Sequence, residues 1–230
     1  MYKLVAFDAY GTLFDVYSIG QAAEKIYPVD GQAFASMWRD RQIDYTRLVT
    51  MSDPNPHGSK HYLSFWELTL RSLHYVCKRM ELELSVDNEK LLMDQYSKLS
   101  SFADAGNVLQ SIKAAGLATC IISNGNREML EKVVSSNGLS KHLDKILTIE
   151  AVKLFKTAPQ AYDLLLKEFT FSKQEILFVS SNAWDALAAK WYGFDVFWIN
   201  RYGHPFEEIG EKPNYEGKQL SDILRLCHLG

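Results

Sequence analysis

Four stretches of this chain hold residue types that can do chemistry: Phe7-Asp8-Ala9-Tyr10-Gly11-Thr12-Leu13, Ile121-Ile122-Ser123-Asn124-Gly125, Lys156, and Ser180-Ser181-Asn182-Ala183-Trp184-Asp185. A carboxylate such as Asp8 can serve as a covalent nucleophile, and a second one such as Asp185 can polarise a water. Each feature also has a plainer reading. Asp8 suits a turn cap after a strand, Ser123 and Asn124 suit a helix N-cap pair that could still bind a ligand, and Lys156 alone is a solvated surface lysine. The setting of Asp8 in Asp-Ala-Tyr-Gly-Thr argues against the simple cap, and the place of Lys156 after an apolar run at 146–149 makes it a catalytic candidate. The six histidines fall outside all four stretches, so a Ser-His-Asp or histidine–metal enzyme has no support.

The elements that must position these residues are legible as apolar runs. Runs at 3–7, 117–122, 146–149, 176–179 and 195–199 lack polar alternation, as strands buried on both faces of a parallel sheet do. Helical patterns at 108–115, 128–136, 158–169 and 183–192 lie between them, and Gly116, Gly138 and Gly193 close three of these. Strands alternating with helices predict an α/β fold with a doubly wound parallel sheet. Residues 15–99 break that rhythm with helical patterns at 18–26, 33–50, 62–80 and 88–99, interrupted by Pro54, Pro56 and Gly58. The expected organisation is a core of residues 1–14 and 100–230 with an all-helical cap, residues 15–99, inserted after the first strand. Ligands of open parallel sheets bind at the carboxyl ends of the strands. Asp8, Ser123-Asn124 and the 180–185 stretch all follow strands, so topology predicts their convergence.

Composition narrows the class without naming a reaction. The 230 residues are 47% hydrophobic and 23% charged, with formal net charge −3, so neither a basic nucleic-acid surface nor an acidic tail is indicated. No apolar run approaches the roughly 18 residues that span a bilayer, and Asp8 comes too early for a signal peptide. Cys77, Cys120 and Cys227 lack metal-ligand spacing and read as buried thiols of a reducing compartment. A soluble cytoplasmic protein is expected, with no membrane and no nucleic-acid partner.

Taken in order, the four stretches resemble the four signatures of the haloacid dehalogenase (HAD) superfamily, over essentially the whole chain. Singly they are weak matches; in sequence, each after an expected strand or in the right interval, they are specific. The phosphatase branch carries a second Asp two residues after the nucleophile and an acid near Ser181; here the positions hold Tyr10 and serine. Asp8 and Asp185 alone supply a hard divalent cation poorly. The pattern is similar to the metal-independent L-2-haloacid dehalogenases, which implies no metal and no cofactor.

That resemblance implies a nucleophilic Asp8, oriented by Thr12, that displaces halide from the α-carbon of a small 2-haloacid. Arg39 and Asn124 match the halide-binding pair, and Ser123 the carboxylate-binding serine. Lys156, Ser180, Asn182 and Asp185 match the network that serves ester hydrolysis, with Lys156 keeping Asp8 ionised. Tyr10, Ile43, Phe65 and Trp184 match the apolar pocket, and Tyr162 a tyrosine near the active site. Phe65 and Trp184 read equally as core, and Arg39 shares its helical stretch with Arg41 and Arg47, any of which could face water. Two departures stand out: Asp40 replaces a glutamine beside Arg39, and Thr157 replaces a proline after Lys156. A homodimer is implied by the resemblance alone. The alternatives are a Mg-dependent HAD-type phosphatase or phosphomutase acting on a small phosphorylated metabolite, and an idle fold used as a binding module. The trio Asp8, Lys156 and Asp185 argues against the latter, since binding does not require it.

Overall fold

In β1 (Leu4–Phe7) all four side chains are buried, with Val5 and Phe7 in one apolar cluster and Leu4 and Ala6 in another. That alternation is the strand period with apolar layers on both faces. The same holds for β4 (Ile176–Ser180), where Leu177 and Val179 face one layer and Ile176 and Phe178 the other. With β2 (Ala118–Ser123), β3 (Lys145–Thr148), β5 (Asp195–Ile199) and β6 (Tyr215–Gly217) they form a 6-stranded sheet in the order β3-β2-β1-β4-β5-β6. Every pairing is parallel, and β1 sits centrally with Leu4 opposite both Ala118 and Ile176. The strand order reverses beside β1, which puts the crevice for a ligand where Asp8 leaves the sheet. The computed structural model describes residues 1–53 and 55–227; Pro54 of the expected interruption and the terminal residues 228–230 lie outside the described residues.

Helices α1 (Ser18–Ile26), α2 (Gly31–Met51), α3 (Phe65–Arg79) and α4 (Val86–Tyr96) follow β1 without an intervening strand. Helix α3 starts three residues later than its apolar pattern because Ser64 closes a capping box: its hydroxyl accepts from Glu67 N at 3.2 Å, and the Glu67 carboxylate accepts from Ser64 N at 3.1 Å. Phe34 and Trp38 of α2, Phe65 of α3 and Tyr96 of α4 are buried in the same cluster as Val5 and Phe7, so the helices share one apolar layer with the sheet. The chain enters and leaves this helical region side by side. Asp15 N donates to Ser100 O at 2.9 Å, and Phe102 N donates to Leu13 O at 2.9 Å.

The remaining helices are α5 (Ala105–Ala114), α6 (Arg127–Ser136), α7 (Pro159–Glu168) and α8 (Ala183–Tyr192). Pro159 opens α7, where a missing N–H costs nothing. Gly193 closes α8 at φ 106°, a conformation that a side chain would strain. The apolar pattern did not reveal β6, whose residues Tyr215-Glu216-Gly217 are partly exposed at the sheet edge. A three-residue strand with an exposed glutamate at its centre is too short and too polar to leave an apolar run.

Candidate active site

Asp8 stands at the carboxyl end of β1, held by a backbone bond from Asp8 N to Val179 O at 2.9 Å. The Ala9–Phe14 segment then turns sharply, with Leu13 N and Phe14 N both donating to Ala9 O at 2.9 and 3.1 Å. Gly11 has φ +91°, and an added Cβ would meet Ser181 Oγ at 3.4 Å, so the turn is built for glycine. Folding back this way brings the Thr12 hydroxyl to Asp8 Oδ2, to which it donates at 3.1 Å. Asn182, the N-cap of α8 beyond β4, donates its amide to the same oxygen at 2.8 Å. Lys156 Nζ donates to Asp8 Oδ1 at 3.1 Å and to Asp185 Oδ2 at 3.0 Å. Tyr162 of α7 completes the chain by donating to Asp185 Oδ1 at 2.7 Å.

Asp8, Thr12, Lys156, Asp185 and Tyr162 are buried while Asn182 borders the cleft, and the charges do not balance: one ammonium lies between two carboxylates. Burial by itself depresses the Lys156 pKa, but Asp185 and Asp8 outweigh it and the net direction is upward. Lys156 therefore stays charged. Burial raises the Asp185 pKa, with Asp8 pushing the same way while Lys156 opposes. The result is a carboxylate more basic than an ordinary aspartate. Tyr162 is pushed well above its usual value, chiefly by burial and then by Asp185, so it remains a neutral donor.

A cleft of about 680 Å³ opens onto this network. Arg39, Asp40 and Ile43 of α2 line one side, and Asn182 and Trp184 the other. Arg39 donates to Gln42 Oε1 at 2.7 Å, and to Asn182 Oδ1 at 3.5 Å, the long limit of a hydrogen bond. Arg41 instead lies over Tyr75 at 4.2 Å, and Arg47 over Trp184 at 5.7 Å. Asp40 is exposed on the cleft wall. Tyr10 is buried, stacked on Phe65 with ring centroids 5.8 Å apart, and its hydroxyl has no hydrogen-bond partner among the described residues.

Of the residues predicted from sequence, Asp8, Thr12, Lys156, Asn182, Asp185 and Tyr162 thus form one connected network. Asn124 joins through its side-chain oxygen, which accepts from Lys156 N at 2.9 Å. Ser123 Oγ accepts from Gly125 N at 3.1 Å, and Ser180 Oγ from Asn182 N at 3.2 Å, so these two hydroxyls shape loops here and do not bond Asp8. Sequence reasoning missed Gln42, a fully buried amide that grips Arg39 and donates to Thr69 Oγ1 at 2.6 Å. Its spacing, one turn after Arg39, was the available signal. It also passed over Ser181 as a partner of Thr12, whose hydroxyl accepts from Ser181 N at 2.9 Å.

Residues 2–193 match the family model described as haloacid dehalogenase-like hydrolase. The chain belongs to that family. Among its relatives, the (S)-2-haloacid dehalogenase of Pseudomonas putida is 38% identical over 219 residues, covering 95% of this chain and 93% of the relative. The crystal structure of an L-2-haloacid dehalogenase superposes with a TM-score of 0.95 at 45% identity, covering 99% of each chain. A second such structure, from Xanthobacter autotrophicus with chloropropionic acid covalently bound, gives a TM-score of 0.89 at 30% identity over 99% of both chains. The sheet, its order and the helices after β1 are thus those of a haloacid dehalogenase-like hydrolase. Among the described residues no group of three His, Cys, Asp or Glu is placed to hold a metal ion.

Proposed function

We propose that this protein is an L-2-haloacid dehalogenase that forms an ester on Asp8. The observation that carries the reading is the buried Asp8–Lys156–Asp185 array, in a chain similar to one whose structure holds covalently bound chloropropionic acid. An Asp8 oxygen attacks the α-carbon, the carbon–halogen bond breaks, and the halide leaves with the bonding pair. Charge grows on the halogen, so donors aimed at it lower the barrier. Arg39 and the amide of Asn124 take that role, and Ser123 with nearby backbone N–H groups holds the substrate carboxylate. Tyr10, Ile43, Phe65 and Trp184 wall the alkyl group.

Asp185 then removes a proton from water as it attacks Cγ of the Asp8 ester. Each Asp185 oxygen already accepts one hydrogen bond and keeps a lone pair for the water. The acyl–oxygen bond breaks, and the leaving oxygen takes the proton from Asp185 to give the 2-hydroxy acid. The second proton of the water passes from the new carboxyl to solvent, so Asp8 returns as a carboxylate beside Lys156. Thr12, Ser180 and Asn182 hold the loops and the Asp8 oxygens through both steps.

Residues 15–99 act in this scheme as a cap that closes Arg39 and Ile43 over the sheet edge. No metal is required, because the ammonium of Lys156 already stands within 3.1 Å of Asp8 and 3.0 Å of Asp185. A cytoplasmic homodimer is the working form on the family resemblance. The deciding assay compares halide release from L-2-chloropropionate with phosphate release from a phosphomonoester panel, each with and without EDTA. Halide release indifferent to EDTA is expected; Mg-dependent phosphate release alone would overturn the reading.

A further inference from the structure

Arg201 follows β5 at the same carboxyl edge of the sheet as Asp8, and the proposed chemistry gives it no task. Its guanidinium reaches back to the nucleophile turn, where Nη2 donates to Thr12 O at 3.0 Å and Nη1 to Gly11 O at 3.3 Å. The same guanidinium lies 3.7 Å from the ring centre of Phe102, where the chain returns from the helical region. Phe102 N in turn donates to Leu13 O at 2.9 Å. One planar group therefore touches the loop that carries Asp8 and the segment through which α1–α4 rejoin the sheet. Two adjacent carbonyls demand two donors at a fixed spacing, which a guanidinium offers and an ammonium does not. The loop transmits this hold, since Thr12 donates to Asp8 Oδ2 at 3.1 Å.

We propose that Arg201 is a positioning residue for the nucleophile. It fixes the 9–14 turn, and through Thr12 the direction of the Asp8 carboxylate, and ties both to the Phe102 segment. The claim rests on the dehalogenase reading for its kinetic consequence but not for its structural one. In the full-length protein, Arg201→Met keeps an apolar stem against Phe102 and removes both donors. Single-turnover halide release from L-2-chloropropionate should fall roughly 10- to 100-fold, since a misplaced reacting group costs on that order, with KM changed less than about twofold. Arg201→Lys should recover little of the loss. Hydrogen exchange should accelerate at the amides of residues 11–14 while the β4 amides stay protected. A raised KM with intact single turnover would make Arg201 a residue of the cleft mouth and overturn the proposal, as would unchanged exchange in the turn. Should Arg201→Met fail to fold, the same two readings on Arg201→Lys decide, and a wild-type rate there overturns it. If the wild-type protein releases no halide, the dehalogenase reading falls, while the exchange comparison still judges Arg201.

Discussion

At the scale of single residues, the site is an electrostatic device with one surplus negative charge. Asp8→Asn removes that surplus and leaves Lys156 paired with Asp185, but its single amide oxygen can replace only Oδ1, facing Lys156, or Oδ2, facing Thr12 and Asn182. Turnover should vanish, because an amide is a poor nucleophile, while the protein still folds; thermal melting beside a halide assay checks both. A single turnover of wild type in oxygen-18 water should put label into Asp8, read by peptide mass spectrometry. Label found only in the product would exclude the ester. The pH profile follows from Asp185. Its pKa in the folded protein lies above the free value of 3.8, so the proposed base is lost as pH falls through that raised value. The acid limb of kcat should therefore sit above the range of an ordinary aspartate. For stability the sign is opposite. A carboxyl raised on folding costs stability when ionised, and acidification through its folded pKa relieves that cost. Between these limits, activity should decline before the fold does, which parallel rate and circular-dichroism titrations would show.

At the scale of elements, α2 presents three arginines in different directions, and the helical period decides among them. Arg39 faces the cleft and Asn182, Arg41 is spent on Tyr75, and Arg47 covers Trp184 at the rim. Arg39→Lys should lower kcat by about 100-fold, the usual scale for a lost donor to developing charge. Arg41→Lys and Arg47→Lys should stay within about twofold of wild type, as steady-state halide assays would record. Gln42→Leu should fall between these, because it frees Arg39 without removing its charge. A larger loss from Arg41→Lys than from Arg39→Lys would mean that α2 presents a different face to the substrate.

At the scale of the whole molecule, the proposed reaction takes place between the helical region and the sheet, and its stereochemistry depends on both. Displacement by Asp8 inverts the α-carbon once. Hydrolysis then cleaves the acyl–oxygen bond and leaves that carbon untouched, so an L-2-haloacid should yield a D-2-hydroxy acid. In the proposed arrangement the hand is chosen by holding the carboxylate near Ser123 on the sheet side, the halogen near Arg39 on α2, and the alkyl group against Ile43 and Trp184. A D substrate would have to place its alkyl group where the hydrogen belongs. Chiral chromatography after turnover of L-2-chloropropionate should show D-lactate; racemic or L-lactate, or equal use of D-2-chloropropionate, would refute this arrangement.

The sequence by itself determined the strands that carry the site, because a strand buried on both faces must be largely apolar without polar alternation, and β1, β2, β4 and β5 are. It also determined which polar residues follow those strands, and the order of the motifs identified the family. The helical stretch after β1 was equally legible, since its apolar residues recur at the helical period. What only the tertiary structure decided was how side chains far apart in sequence meet. Ser181 against Thr12 and Arg201 on the Gly11–Thr12 carbonyls carry no local pattern, and Gln42 carries only its spacing of one turn from Arg39. A polar residue at a strand end or on a helix reads as solvent-facing until its partner across the fold is known. The same limit applied to Ser123 and Ser180, whose hydroxyls turn to neighbouring backbone amides. Hydrogen-bond direction depends on a rotamer set by packing, and periodicity holds no record of it.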